Sequence, residues 1–350
     1  MPKFELLIFF HDELKLNYQH YLVKAILLLK KDFNITIYDK HGIISNKFII
    51  KNKLNLKIIK DFETLQKKIH FYELSICSFY QDIFKLKNIN KELKILNVWH
   101  GSPIRKICFD NEVEKKESKL NFEKKNVYHI VQNEFYLKIF QKAFETNRNN
   151  VMISNFFYTE NLNLRVIAKK VLKNVIRFLS LKKKILFCPT HDPNYANKDF
   201  LLRFPTLKNI INSNNEKFTI YIKQHELDLS VINPDYKNIK LLPKNYDLNN
   251  NFYLFDFFIT DISSSIIDWF NITKRKFWLI KPNELYLKNN ASYFDLNELY
   301  MDEKNELEYF FSLISKKSNS FYSNFTKKII ASKNNKDNFK KIIYKLIYCQ

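Results

Sequence analysis

Glycine is almost absent from this chain, with two residues among 350. One of them lies in the segment Trp99-His100-Gly101-Ser102-Pro103, directly after an apolar run. Because glycine adopts backbone conformations that other residues avoid, Gly101 predicts a sharp turn or a close approach of a ligand to the main chain. Histidine is the only side-chain type whose unperturbed pKa lies near neutral pH, so His100 suits proton transfer or phosphate contact. The alternative is a tight turn between a strand and a helix, with an incidental histidine.

Cysteine and long apolar runs are scarce as well. The 4 cysteines are far apart and form neither a CxxC pair nor a disulfide framework, which fits a reducing compartment. The apolar run Phe4–Phe10 is too short to span a membrane, and no small-residue cleavage site follows it. We therefore expect a cytoplasmic protein that is soluble or attached peripherally to the inner face of the plasma membrane.

Positive charge is abundant, with a formal net charge of +22 that comes mainly from lysine. Such a balance favours polyanionic partners, namely nucleic acid, an anionic membrane surface or phosphate-bearing substrates. The lysines are scattered along the chain, and no recognisable nucleic-acid motif is present. We therefore expect no nucleic-acid partner.

Short β-rich runs alternate with helical patterns in two successive series, which predicts parallel sheets covered on both faces. The expected architecture is α/β, with two Rossmann-like domains over residues 1–160 and 161–350 that face a cleft. The first series of strands is predicted at Phe4–Phe10, Asn34–Tyr38, Leu74–Phe79, Lys94–Trp99, Tyr128–Gln132 and Val151–Ser154. The second series is predicted at Lys184–Cys188, Phe218–Lys223, Asn238–Leu242, Asp256–Thr260 and Lys276–Ile280. Helices are predicted at Tyr18–Lys31, Asn133–Phe144, Ser265–Phe270 and Asp337–Tyr348.

A basic amphipathic helix is predicted at the domain boundary. Its basic residues fall at steps of four and lie opposite apolar ones: Arg165, Lys169, Lys173 and Arg177 against Leu164, Ile167, Val171, Val175 and Phe178. Such a helix suits contact with anionic lipid. The alternative is a packed helix whose basic face is solvated.

Four segments at predicted strand ends carry side chains suited to chemistry. They are His100–Pro103, Pro189–Asp192, Lys223–His225 and Thr260–Ser265. In open α/β sheets, ligands bind beyond the carboxyl ends of strands, often at helix N-termini that accept anions. His100 and His225 come from different series but hold equivalent positions, so both are expected to face one cleft, and His191 is a third candidate.

The fourth of these segments has three consecutive serines at the start of a predicted helix. The hydroxyls of Ser263, Ser264 and Ser265, with the unpaired backbone N–H groups there, suit a phosphate or diphosphate. Asp261 is placed to accept a donor from a sugar or base, or to orient a histidine. The alternative is ordinary N-capping, for which one serine is enough. No metal or cofactor is expected, since HExxH, GxGxxG, P-loop and GxSxG motifs and a cysteine cluster are all missing.

In this order the four segments resemble the CDP-glycerol glycerophosphotransferase family, which builds teichoic-acid-type polyol phosphate polymers and related capsular structures. The resemblance spans about residues 94–300. It rests on an HG[ST]P-like segment, a strand with Pro-Thr, a K-x-H segment and a TDxSS segment, here His100–Pro103, Ile185–Thr190, Lys223–His225 and Thr260–Ser264. Phe294-Asp295-Leu296 is similar to a late segment of that family.

The resemblance implies a GT-B architecture, with an acceptor-side N-terminal domain and a C-terminal domain that binds the nucleotide donor. It implies transfer of a polyol phosphate from a CDP-linked donor to a hydroxyl of a cell-surface glycan or lipid-linked acceptor, with release of CMP. Glycerol phosphate is the first candidate for the transferred group. His100 takes the role of general base, and His225 that of the histidine contacting the donor diphosphate. The substrate-binding residues are then Gly101, Ser102, Thr190, Lys223, Asp261, Ser263, Ser264 and Ser265.

Three departures from the family pattern bear on donor and acceptor identity more than on the fold. Ser154–Tyr158 replaces a G-x-P-R-N-D-like segment, His191-Asp192-Pro193 replaces an aromatic residue and an arginine, and Glu226 replaces a proline. Two other functions stay open. One is a GT-B glycosyltransferase that uses a nucleotide sugar for capsule or lipopolysaccharide synthesis. The other is a non-catalytic basic protein that binds nucleic acid or anionic lipid, which the charge alone supports.

Overall fold

The structure is a computed structural model of the chain. It describes residues 3–10, 20–86, 89–90, 92–99, 101–111, 126–154, 156, 164–180, 182–212, 218–225, 227–232, 238–244, 246–275, 277–282, 286–287, 291–296, 300, 323–330 and 339–348.

Strands and helices alternate along the chain as predicted. The strands are β1 (Glu5–Phe9), β2 (Asn34–Tyr38), β3 (Leu56–Ile59), β4 (Leu74–Cys77), β5 (Lys94–Asn97), β6 (Val127–Val131), β7 (Val151–Ile153), β8 (Lys183–Phe187), β9 (Phe218–Ile222), β10 (Ile239–Leu241), β11 (Phe257–Thr260) and β12 (Phe277–Leu279). The helices are α1 (His20–Leu29), α2 (Asn46–Asn52), α3 (Phe62–Lys68), α4 (Glu134–Ala143), α5 (Leu164–Phe178), α6 (Pro205–Asn212), α7 (Leu248–Asn251), α8 (Ser265–Thr273), α9 (Ser323–Ile329) and α10 (Phe339–Tyr348).

The chain divides into two compact units. Unit 1 comprises residues 1–102, 115–159 and 331–350, and unit 2 comprises residues 103–114 and 160–330. This division differs from the predicted ranges at two places. Residues 103–114 belong to unit 2 because their backbone bonds there, with Lys106 N donating to Ala291 O at 2.8 Å. The C-terminal residues return to unit 1 because α10 buries Phe339, Ile342 and Leu346 in its core.

Unit 1 is built on a seven-stranded sheet in the order β3-β2-β1-β4-β5-β6-β7. All of its described strand pairs are parallel. The central strands are buried apolar runs, as expected for a parallel sheet with both faces covered. The strand order reverses between β1 and β4, the kind of position at which open α/β sheets bind ligands.

Unit 2 is built on a second parallel sheet, in the order β10-β9-β8-β11-β12. Its core is formed by side chains from β8, β9 and α6, among them Phe187, Ile220 and Leu207. Strands β9, β8 and β11 are neighbours, so the segments that follow them meet at one edge of the sheet. Two parallel α/β sheets confirm the predicted fold class.

The orientation of α5 contradicts a packed helix with a solvated basic face. Arg177 Nη1 donates to Asp256 Oδ1 at 3.1 Å, and Lys173 Nζ donates to the carbonyl of Asn250, so these basic side chains contact the body of unit 2. The apolar side is exposed instead, over Val171, Leu172, Val175, Ile176, Phe178 and Leu179. We call these six residues the exposed face of α5.

Candidate active site

The loop after β5 has an unusual backbone. Trp99 has a φ of 52° and Gly101 a φ of 148°. A side chain at Gly101 would meet no atom within 4 Å, so the backbone conformation, and not a lack of space, calls for glycine there. His100, between them, lies outside the described residues. The predicted sharp turn is therefore present at Gly101.

Trp99 is held in its left-handed conformation by neutral groups. Its backbone N–H donates to Asn97 Oδ1 at 3.0 Å, while Asn97 Nδ2 donates to His129 Nδ1 at 3.2 Å. The indole packs at 5.3 Å from the ring of Phe144, which itself stacks on His129 at 4.4 Å. Burial lowers the pKa of His129 to about 3, so this imidazole is neutral at physiological pH and accepts the bond from Asn97. A left-handed tryptophan costs about 1–3 kcal/mol and persists only where its surroundings enforce it.

In unit 2, the segments after β8 and β11 are bonded to each other. The backbone N–H of Thr190 donates to Asp261 Oδ1 at 2.9 Å, and its hydroxyl donates to Asp261 Oδ2 at 2.6 Å. Asp261 also accepts from the N–H of Ile262 at 2.7 Å. Both Thr190 and Asp261 were predicted as substrate-binding residues, but their side chains are buried and bonded to each other. Their direct role is to join the two loops.

A buried arginine completes this junction. Arg203 lies in a short 3₁₀ turn, Phe200–Arg203, and is 5% exposed. Its Nη1 donates to Thr190 O at 2.6 Å, and its Nη2 donates to Asp261 Oδ2 at 3.0 Å. The sequence analysis missed Arg203. The only sequence signal was an arginine that directly follows an apolar run.

Two further aspartates face the same guanidinium. Asp192 Oδ2 lies 4.0 Å from Arg203 Nε, and Asp228 Oδ2 lies 3.9 Å from Arg203 Nη1. Each carboxylate uses its Oδ1 within its own loop, since Asp192 accepts from the N–H of Asn194 and Asp228 accepts from Ser230 Oγ. Both Oδ2 atoms are buried, and neither has a hydrogen-bond partner among the residues that the structure describes. We call Arg203 with Asp192, Asp228 and Asp261 the arginine hub.

Two stacked histidines lie on the loops that carry Asp192 and Asp228 of the hub. The rings of His191 and His225 lie 5.7 Å apart at an interplanar angle of 24°. Nδ1 of His225 accepts from the backbone N–H of Leu227 at 3.2 Å, so the neutral ring carries its proton on Nε2. His191 is fixed by its carbonyl, which accepts from the hydroxyl of Tyr286 at 3.2 Å. Two imidazole edges are thus held together at the carboxyl edge of the sheet.

Burial and the neighbouring charges both shift the pKa of His191. Burial, the largest effect, lowers this pKa, and the cations Arg203 and Arg105 lower it further, while Asp228 and Asp192 raise it.

His225 shows the same balance from other neighbours. Burial lowers its pKa most, Lys244 lowers it as well, and Asp228 and Asp261 raise it. Asp228 is therefore the strongest charged group to favour the protonated form of both rings.

The serine turn opens α8 without the usual side-chain cap. Ser264 is the N-cap residue but its side chain makes no capping hydrogen bond. The hydroxyls of Ser263 and Ser265 lie 2.8 Å apart and pair with each other. Ser263 Oγ accepts from the backbone N–H of Ser265 at 3.4 Å, so capping by a serine stays open as the alternative. The turn offers hydroxyls at the positive end of a helix that follows β11.

Lys223 follows β9 and is buried, with its Nζ donating to the carbonyl of Gln224 at 3.0 Å. Across the junction, Arg105 Nη1 donates to the hydroxyl of Tyr286 at 3.4 Å, and this hydroxyl donates to Thr190 Oγ1 at 2.9 Å. Tyr286 is a second site residue that sequence reasoning missed. It comes from a segment without a strand or a recognisable motif.

The predicted site residues of unit 2 follow β8, β9 and β11, which are neighbouring strands, while Gly101 and Ser102 belong to unit 1. Within the part of the chain that the structure describes, no three His, Cys, Asp or Glu side chains form a group able to hold a metal ion. The described helices include none that is long and apolar enough to cross a membrane.

Comparison with solved structures shows a shared fold. A histidine-to-asparagine variant of the wall teichoic acid polymerase TagF, soaked with CDPG, superposes with a TM-score of 0.65 at 16% identity, covering 92% of this chain and 84% of that one. A putative UDP-N-acetylglucosamine 2-epimerase from Listeria monocytogenes gives a TM-score of 0.51 at 10% identity, covering 91% of this chain and 89% of that one.

Comparison with protein sequences identifies the family. A teichoic acid glycerol-phosphate transferase of Staphylococcus aureus is 24% identical over 228 residues, which is 61% of this chain and 57% of that relative. The alignment thus spans little more than half of the relative's length. The family model of CDP-Glycerol:Poly(glycerophosphate) glycerophosphotransferase matches residues 60–340. The resemblance inferred from the four segments is confirmed, and the chain belongs to the CDP-glycerol:poly(glycerophosphate) glycerophosphotransferase family.

Proposed function

We propose that this protein transfers glycerol phosphate from CDP-glycerol to a hydroxyl of a teichoic-acid-type polymer or lipid-linked glycan and releases CMP. One observation carries the proposal. Three adjacent parallel strands of unit 2 bring a histidine pair, a buried lysine and a serine turn at a helix N-terminus to one edge of the sheet. These groups suit a nucleoside diphosphate, and the family to which the chain belongs uses such a donor.

In the proposed reaction the oxygen of the acceptor hydroxyl attacks the phosphorus that bears glycerol. The bond from this phosphorus to the bridging oxygen breaks, and CMP leaves with the bond's electrons. His100 takes the hydroxyl proton as general base, a contribution of about 10²–10⁴-fold.

The donor diphosphate is bound in unit 2. The Nε2–H of His225 donates to a phosphate oxygen, and Lys223 supplies positive charge from β9. The serine turn, Ser263–Ser265, donates hydroxyls at the N-terminus of α8. Donors fixed in advance of the reaction stabilise the charge that develops on the leaving phosphate.

A donor screen tests this function. Purified protein is incubated with CDP-glycerol, CDP-ribitol and a set of UDP-, GDP- and CMP-linked sugars, each with a teichoic-acid primer, and the released nucleotide is measured. CMP release from CDP-glycerol that depends on the primer is expected. Release of UDP or GDP from a nucleotide sugar would overturn the proposal in favour of a glycosyltransferase, and binding without turnover would favour a non-catalytic protein.

We also propose that the exposed face of α5 lies on an anionic membrane surface, where a lipid-linked acceptor would be found. An apolar helix face beside a strongly basic chain is the pattern of an interfacial helix. Sedimentation with phosphatidylglycerol vesicles should pull down the protein, and neutral phosphatidylcholine vesicles should bind much less. A Phe178→Ser, Leu179→Ser variant should lose this binding. The matched variant Ile50→Ser, Phe71→Ser, which removes exposed apolar side chains from unit 1, should keep it.

A further inference from the structure

The charge balance of the arginine hub is unusual. Three carboxylates face one guanidinium, and all four side chains are buried. Buried charges are expensive unless they are paired. Arg105 and Lys244 add positive charge beside the histidine loops, and Lys244 Nζ donates to the carbonyl of Asp228 at 2.8 Å. Among the described residues, Oδ2 of Asp192 and Oδ2 of Asp228 have no hydrogen-bond partner, although each lies within 4.0 Å of Arg203.

The hub is tied to the loops that carry the imidazole pair. Asp192 is next to His191 in the chain, and Asp228 follows His225 by three residues, with its backbone N–H donating to His225 O at 3.0 Å. Arg203 also fixes Thr190, the residue before His191, through its carbonyl. One guanidinium therefore sets the position of both histidine loops at once.

We infer that Arg203 is a positioning residue of the donor site, which holds Asp192 and Asp228 against the stacked pair His191 and His225 so that both imidazoles meet the diphosphate. This inference rests on the proposed function and extends the diphosphate contact to His191. Asp228 has a use in this arrangement, because its charge favours the protonated form of both imidazoles when the anionic donor arrives. The planar fork of arginine is needed, because it reaches the loops after β8, β9 and β11 together.

An arginine-to-lysine exchange tests the positioning role. Arg203→Lys keeps the positive charge but cannot bond Thr190 and Asp261 while facing the other two aspartates. We expect CDP to bind about tenfold more weakly to folded Arg203→Lys at 25 °C, measured by calorimetry. Arg148→Lys, which alters an exposed arginine paired with Glu134 in unit 1, should bind CDP like the unaltered protein. Equal CDP affinity in folded Arg203→Lys would overturn the inference, since a purely structural arginine would change only the melting temperature.

A second variant separates this inference from the proposed function. Asp228→Asn keeps the shape of the side chain and removes one negative charge facing both rings. Because Asp228 raises the pKa of His191 and of His225, both should titrate at lower pH in this variant. Proton NMR of the imidazoles, without ligand, measures the two values.

Unchanged titration of either ring would overturn the inference, whatever the enzyme transfers. If CDP binds neither the unaltered protein nor its variants, the donor assignment fails and the NMR titration still decides the role of the hub. If both variants behave as expected and the donor screen yields no CMP, the hub stands and the proposed reaction fails.

Discussion

The turn after β5 in unit 1 and the loops of the proposed site in unit 2 are held in place by opposite means. In unit 1 the turn after β5 is fixed by neutral groups: an asparagine bond to Trp99 and the packing of aromatic rings. In unit 2 the loops after β8, β9 and β11 are fixed by the charged arginine hub. The first loop carries the proposed base, which needs a defined position and no fixed neighbouring charge. The second group of loops carries the proposed diphosphate site, where charge sets protonation as well as position.

The comparison predicts different kinetic defects for the two histidines. His100→Ala should lower kcat by about 10²–10⁴-fold with CDP affinity unchanged, because only proton transfer is lost. His225→Ala should instead weaken CDP binding, by about 10- to 100-fold for one hydrogen bond to a charged group. Steady-state kinetics of CMP release and calorimetry with CDP measure the two effects.

His70→Ala, at an exposed histidine of unit 1, serves as the control and should alter neither quantity. Loss of CDP affinity in His100→Ala would contradict the assignment of roles.

Acid should weaken the neutral contacts around Trp99 before it weakens the arginine hub. The folded pKa of His129 is about 3, while an unfolded histidine has a value near 6.5. As the pH falls below 6.5, His129 of the unfolded chain binds a proton while the buried imidazole of the folded chain stays neutral. The free energy of unfolding therefore declines until about pH 3. The contribution is up to about 1.4 kcal/mol per pH unit. His129→Gln, which keeps an acceptor for Asn97 and does not titrate, should reduce this slope.

Fluorescence can follow the two units separately in urea titrations at pH 7, 5.5 and 4. Trp99 lies in unit 1, and Trp269 and Trp278 lie in unit 2. Variants that keep one tryptophan each would report one transition each. A His129→Gln protein that is as sensitive to acid as the original in the Trp99 signal would show that this histidine is not the weak point.

Removing the bond to Trp99 should give a smaller effect. Asn97→Leu leaves the backbone N–H of Trp99 without that partner, at a cost of about 1–3 kcal/mol. We expect a lower kcat with CDP affinity unchanged, because the turn that carries His100 is displaced and unit 2 is not. Asn97→Asp keeps the acceptor oxygen and should retain more activity. Equal kcat values for the two variants would show that this bond does not position the turn.

The smallest expected effect concerns Lys53, a residue in the left-handed conformation that, unlike Trp99, lies outside the proposed site. Lys53 ends α2 with a φ of 49°, is exposed and is remote in sequence from the proposed site. Lys53→Gly should stabilise unit 1 by about 1 kcal/mol, since glycine adopts this conformation without the steric penalty. Lys51→Gly, within the last turn of the same helix, should destabilise it by about as much. Thermal unfolding measures both, and CMP release should be the same for both.

Much of the fold could be predicted because hydrophobic patterning reports burial. Strand β2 was predicted with its observed limits, and β1 within one residue at each end. Strand β3 was missed because it is an edge strand, Leu56–Ile59, in which Lys57 interrupts a short apolar run amid other lysines. The face that α5 buries was not predictable from its own pattern. Its basic residues have acceptors on Asp256 and Asn250, about 80 positions later in the chain.

The candidate site could be predicted only in part, for a related reason. Motifs at strand ends located Thr190, His225 and Asp261, since each lies one to three residues after a buried strand. Arg203 and Asp228 follow no such rule. Their importance arises from contacts among four segments that are remote in sequence. A single sequence, read by itself, gives no sign of such contacts.

The span of the arginine hub has a consequence for how unit 2 folds. Arg203 bonds Asp261, 58 residues later in the chain, and Thr190 bonds the same carboxylate from 71 residues away. The entropy of closing such long loops must be overcome before these bonds form. Partly collapsed chains with separate helices and strand pairs therefore lack the proposed donor site. Nucleotide binding reports that the whole of this sheet has assembled, and a bound nucleotide in turn raises the unfolding free energy of the assembled state alone.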